Sequence, residues 1–413
     1  MTLPILPSDI LYKIVNELPA TDRARLAQVD TRLAGAQSDP RFWEDLLPTF
    51  RAAQLNEIAK ISSGLASIVA AQLRLRLTTV AGTGDKGFNG DNQPASTAHL
   101  DEPSGVAVDV YGNLFIADTY NKRVRKVDTQ GTITTVAGTG STGFDDDTRL
   151  ATAARLAAPW GVAVDVYGNL FIADTYNKRV RKVDTHGTIT TVAGTGEAGF
   201  NGDNQPATTA HLASPRGMAV DGYGNFYIAD TYNNRVRKVD GNGVITTVAG
   251  TGQEGFNGDD QLATVAHLAS PRGVAVDAHG TLYIADMYNN RVRKVDGNGV
   301  ITTVAGTGQE GFNGDDQLAT VAHLASPRGV AVDAHGTLCI ADTDNDRVRK
   351  VDGNGVITTV AGTGEAAGQR VIDGEPLSMT PLRRPEFLAF DSQGNLYIAD
   401  THAHRVRRVL PHQ

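Results

Sequence analysis

The chain has 413 residues, 45 of them glycine, a formal net charge of −8 and a single cysteine, Cys339, which excludes an internal disulfide framework. No apolar run reaches membrane length, and Met1 to Pro7 lacks the basic start of a secretory signal, so a cytoplasmic setting without a membrane partner is expected. Residues 1–77 hold 9 of the 38 basic and 8 of the 46 acidic side chains, leaving a net −9 on the remainder, a balance that argues against nucleic acid as partner.

Ser8 can cap a helix whose apolar stripe is Ile10, Leu11, Ile14 and Leu18, and Pro19 stops it. Thr21 can cap a second helix carrying Leu26, Val29 and Leu33. Asp39 and Pro40 open a third, leading to Phe42, Trp43 and Leu46. Three short helices make a poor autonomous core, and such a segment often needs a partner surface. Residues 51–73 place Leu55, Ile58, Ile61, Leu65, Ile68 and Val69 at helical spacing, predicting an amphipathic connecting helix.

From Leu73 the pattern changes to alternation, and a unit begins that is clearest at Gly217 to Gly252, GMAVDGYGNFYIADTYNNRVRKVDGNGVITTVAGTG. Short β-branched and aromatic runs separated by Asp, Gly and Asn predict four strands joined by tight turns. The Asp closing the second run recurs as Asp118, Asp174, Asp230, Asp286, Asp342 and Asp400, stepping by 56 residues four times and 58 once. Four-stranded units at this period bury their faces only against neighbours, as in a propeller. The last unit has no fourth strand, whereas an orphan LTTVAG at Leu77 to Gly82 precedes the first. The count balances if that strand joins the final three, so 74–413 is expected to be a six-bladed ring without free edges.

First-to-second and third-to-fourth joints are short and share one face. The other face carries the DTYNKR-type joint and a connection of about 25 residues, for example Gly194 to Gly217, and long connections on a rigid scaffold are where recognition usually sits. The residue after the proline that opens each first strand should line the channel mouth if that strand is innermost. It is Ser104, Trp160, Arg216, Arg272, Arg328 and Glu386, so an arginine trio beside Trp160 could receive an acidic or aromatic side chain. Tyr120, Tyr176, Tyr232 and Tyr288, followed by Asp344 and His402, make an asymmetric rim whose tyrosines are candidate anchors for a protein.

Metal and catalytic readings are weaker. His99, His211, His267 and His323 recur at one place in four units, with Arg155 and Pro381 completing the series, and residues so related lie too far apart to converge on zinc; His402 and His404 form a lone HxH. The GFNGD turn, Gly199 to Asp203 and its copies, could suggest calcium, but turn geometry explains its Gly and Asn equally well. Gly241 to Asp286 and Gly297 to Asp342 differ only at Tyr283 and Cys339, a buried packing position, and interchangeable blades do not assemble the unlike groups an enzyme needs. No cofactor and no catalytic residue is expected, and the recurrent Asp and Arg of the IAD and RVR runs are read as structural ties.

Through PxGVAVD, GNLYIAD and NxRVRKVD the repeats resemble the NHL family, which implies a six-bladed β-propeller. Residues 1–50 resemble the F-box, through Leu6 and Pro7, then Ile10, Leu11 and Ile14, then Leu18 and Pro19, and finally Val29, Arg32, Phe42 and Trp43. Leu33 departs from an often aromatic position. That resemblance implies docking onto the Skp-type adaptor of a cullin-RING (SCF-type) ubiquitin ligase, with Leu6, Pro7, Ile10, Leu11, Ile14, Leu18, Pro19 and Trp43 at the contact. The function implied is a substrate-recognition adaptor, acting as a monomer and holding a protein substrate on the propeller. A bacterial source would place it in a host cytosol. The alternatives are an NHL-like metal-dependent lyase or hydrolase and a scaffold without ligase role.

Overall fold

A lone meander with this alternation would leave two apolar faces wet, and repetition solves the problem by packing sheet against sheet. The computed structural model describes residues 77–364 and 380–409, and each repeat within them is one antiparallel sheet. In blade 3, Pro215–Val220, Phe226–Asp230, Arg235–Val239 and Val244–Ala249 pair in sequence order. Helical structure among the described residues is limited to single 3-10 turns. The segments read as F-box (1–50, with its adaptor-facing residues) and connecting helix (51–73) lie outside the described residues.

The strand at Leu77–Ala81 completes the last blade, pairing Leu77 with Val409 and Thr78 with Arg408. First strands of neighbouring blades touch all the way round, the last against the first, so they are the innermost. The Thr401 hydroxyl donates across the seam to the Pro103 carbonyl at 2.9 Å. Among the described residues, five of the six sheets have five strands, where four were expected. The long connection doubles back along the outer edge, as where Gln205 and Pro206 pair with Ile245 and Val244. Proline is tolerated there because an edge strand need not donate on its outer side.

The core is a set of slabs between blades. Along Phe226–Asp230, Phe226 and Ile228 face the preceding blade, whereas Tyr227 and Ala229 face the next. Phe171 and Phe226 meet between blades 2 and 3 at 5.1 Å. Cys339 is buried in such a slab, and burial pushes its thiol up to about 12, an environment of packing rather than reactivity.

The IAD and RVR runs form a tie, as expected, but the tie has a third member. In blade 1 the buried Arg125 lies 3.5 Å from Asp118 and 2.9 Å from Asp91 of the preceding GFNGD-type turn. Arg181, Arg237, Arg293 and Arg349 repeat the arrangement with Asp147, Asp203, Asp259 and Asp315. Asp118 also accepts the Asp101 amide at 2.7 Å, stitching the long connection to the second strand. The turn carboxylates read as possible calcium ligands are thus engaged by arginine.

Candidate functional site

Every first strand begins with a bulge. Pro215 pairs with Asp230 and Met218 with Ile228, so Arg216 and Gly217 together oppose Ala229. A bulge of this kind re-aims side chains, and here it turns the residue after each proline towards the axis on the long-loop face. The following glycine lets the inner strands approach: a Cβ on Gly217 would lie 2.2 Å from the Arg272 carbonyl oxygen of the next blade.

Trp160, Arg216, Arg272 and Arg328, which the sequence placed at the mouth, converge there around Glu386. The indole Nε1 of Trp160 donates to Glu386 Oε2 at 2.7 Å. Arg328 Nη1 donates to Oε1 of the same carboxylate, and Arg272 Nη1 is 3.7 Å from that oxygen. The Arg216 guanidinium stacks 3.9 Å from the centre of the Trp160 ring. Ser104 caps the cluster from blade 1, donating to the Trp160 carbonyl at 2.9 Å. Burial by itself would raise Glu386, but Arg328, Arg272, the indole hydrogen bond and Arg216 outweigh it and hold the carboxyl below its ordinary range. Burial lowers Arg216, and takes Arg272 down to about 9 with help from Arg216 and Arg328.

Below the cluster the sixth blade has PEF where the others have PxG. The ring of Phe387 crosses the axis, and a Cβ on Gly217, in the opposite blade, would meet its Cε1 at 3.0 Å. Phe387 is 8 % exposed, so it plugs the channel beneath the charged residues. Neither this plug nor the central position of Glu386 was read from the sequence. The signal was the break from PRG to PEF in the last unit.

Tyr120, Tyr176, Tyr232 and Tyr288 stand around the mouth, 39 % to 65 % exposed. Each sits in a one-turn 3-10 segment such as Thr231–Asn233. Thr231 points inward, and Asn233 ties the turn down by donating to Asp230 Oδ2 at 2.7 Å and the Gly199 carbonyl at 2.6 Å. The tyrosine between them is left in solvent. Arg216 reaches towards the Tyr232 ring, 5.9 Å from its centre. Where the tyrosines give way, Asp344 pairs with Arg384 at 2.7 Å. Tyr111, Tyr167 and Tyr223, in short hairpins on the opposite face, are 75 % to 92 % exposed, a second aromatic group that the sequence reading treated only as turns.

The recurrent histidines do not converge. The amides of His99, His211, His267 and His323 each donate to an asparagine of their own GFNGD turn at 2.8 Å. His404 Nδ1 accepts the Glu102 amide at 3.1 Å. Among the described residues no three His, Cys, Asp or Glu side chains are grouped to hold a metal.

This geometry agrees with comparison to known proteins. The Teneurin NHL domain model matches residues 51–146, 195–257, 251–313 and 308–375, and the NHL repeat model matches 156–183 and 382–409. The chain belongs to the NHL-repeat family. Protein SUPPRESSOR OF QUENCHING 1, chloroplastic, of Arabidopsis thaliana is 30% identical over 293 residues, 67% of this chain and 27% of that protein. Teneurin-4 of Homo sapiens is 30% identical over 317 residues, 67% of this chain and 11% of the relative. The chain thus spans a small part of these relatives. Among solved structures, a structural genomics protein of unknown function from Bacteroides thetaiotaomicron superposes with a TM-score of 0.60 at 19% identity, covering 81% of this chain and 76% of the other. A gluconolactonase of Xanthomonas campestris superposes with a TM-score of 0.53 at 16% identity, covering 83% and 92%. These likenesses extend to the fold of the NHL propeller.

Proposed function

We propose that the chain is a substrate-recognition adaptor of an SCF-type ubiquitin ligase, its F-box-like residues 1–50 binding a Skp-type adaptor and its NHL propeller holding a protein substrate. The observation that carries the propeller half is the asymmetric mouth of the long-loop face, where four exposed tyrosines surround a buried Arg, Trp and Glu cluster. Aromatic and arginine side chains at the centre of a patch are the residues that anchor protein interfaces. The adaptor half is supported by the spacing of Leu6, Pro7, Ile10, Leu11, Ile14, Leu18, Pro19 and Trp43. In this reading the chain catalyses no bond chemistry. It raises the effective concentration of substrate at the ligase, in the cytosol and as a monomer.

The test is binding of the full chain to a Skp-type adaptor, beside a Leu6→Ala, Pro7→Ala double variant whose folding is checked by its melting curve. Micromolar or tighter binding that the variant loses is expected. An intact chain that binds no such adaptor would overturn the ligase reading and leave a propeller scaffold.

A further inference from the structure

The mouth of the channel is unbalanced in charge. Three guanidinium groups from blades 3, 4 and 5 share one carboxylate, Glu386, leaving two positive charges in a site where Arg216 is 4 % exposed and the Arg272 and Arg328 side chains are 11 % and 12 % exposed. Their donors are not used up. Among the described residues, Nε and Nη1 of Arg216, Nε and Nη1 of Arg272, and Nε of Arg328 are buried without a hydrogen-bond partner, as are Nε and Nη1 of the wall arginines Arg181, Arg237 and Arg293; the mouth differs in that its guanidinium groups outnumber the carboxylate they face. Buried guanidinium donors ordinarily find acceptors, and leaving them unmet is costly. The Phe387 plug closes the channel below, so a group that reaches these arginines enters from the long-loop face.

We infer that this mouth is a carboxylate-binding site, in which Glu386 occupies one seat as an internal ligand and an incoming carboxylate takes a second on Arg216 and Arg272, beside the ring of Trp160. Planar guanidinium groups match carboxylates with paired hydrogen bonds, and the low local dielectric strengthens each. The incoming group reaches the exposed part of Arg272 and Arg328 first, and the guanidinium heads turn to meet it. Relief of the mutual repulsion that helps depress Arg272 adds to its binding. If the reading of this face as a protein-binding surface holds, the carboxylate is an aspartate or glutamate side chain of the substrate, with the tyrosine rim around it; a small free dicarboxylate offers the same chemistry.

The experiment is calorimetric titration of the full chain with sodium succinate and, separately, with the acetylated and amidated peptide of four glutamates, at constant ionic strength set by sodium chloride. Binding of at least one probe is expected. Arg272→Met should weaken it roughly tenfold or more, the usual scale for a charge-assisted hydrogen bond. Glu386→Gln should tighten it severalfold, because the internal competitor is gone, and a melting curve establishes that each variant is folded. Arg383→Met, which removes an exposed charge from the same face, should leave binding unchanged. Absence of binding by both probes overturns the inference, as does equal weakening by Arg383→Met, which would mark a diffuse field. Succinate binding without peptide binding upholds the carboxylate site and overturns the substrate-side-chain source. Adaptor binding is proposed for residues 1–50 and is read separately, so failure of the ligase reading leaves this result standing.

Discussion

Arginine is used in two opposite ways in this ring. In the wall, Arg125, Arg181, Arg237, Arg293 and Arg349 are fully buried, and each faces two carboxylates, one from its own sheet and one from the preceding turn. At the mouth the ratio reverses, with three arginines to one carboxylate. The wall repeats one solution blade after blade, and the mouth is assembled from residues that differ between blades. Repetition supplies the ties of the wall, and the charged cluster of the mouth lies where the repeat is broken.

The comparison can be broken most forcefully in the wall. Arg237→Met strands Asp230 and Asp203 without their cation, and loss of one partner of a buried pair is expected to cost about 3–5 kcal/mol, read from denaturant unfolding. If the cost is under about 1 kcal/mol, the ties are not structural. Phe387→Gly restores the PxG pattern but empties the channel. It should destabilise by about 3 kcal/mol, and a variant as stable as the parent would show that the plug contributes nothing. Gly273→Ala brings a methyl to 2.3 Å from the Arg328 carbonyl oxygen and should cost about 1–3 kcal/mol in the same assay.

The smallest effect concerns pH. Burial pushes Asp118, Asp174, Asp230, Asp286 and Asp342 up to about 6, and Asp400 to about 7. A free aspartate titrates near 4, so the folded ring holds protons that the unfolded chain has released. The stability this supplies is complete below about pH 4 and lost as pH rises through 6 to 7. The melting midpoint should therefore fall between about pH 5 and pH 7.5. A flat midpoint would mean that the arginine ties keep these carboxylates ionised throughout.

Much of this was legible in the sequence because repetition makes spacing speak for topology. The orphan TTVAG and the missing last strand located the closure, and the variable residue after each proline located the mouth. What escaped were contacts that period does not encode. Trp160 and Glu386 are 226 residues apart and meet only because the ring closes. Asp91 reaches Arg125 across 34 residues, outside the four-strand unit from which the tie was first read. The short fifth strand was hidden in a connection whose Gly and Asn signalled only turns.

Closure by Leu77–Ala81 also has a consequence in time. That strand is made before the first blade, and its partner is the last strand of the ring, 330 residues later where Thr78 meets Arg408. At ribosomal speeds of roughly 5–20 residues per second the wait is on the order of half a minute. Throughout it an apolar strand is single while five blades assemble beside it. The sheet of the last blade therefore cannot be completed until synthesis has reached Arg405–Val409.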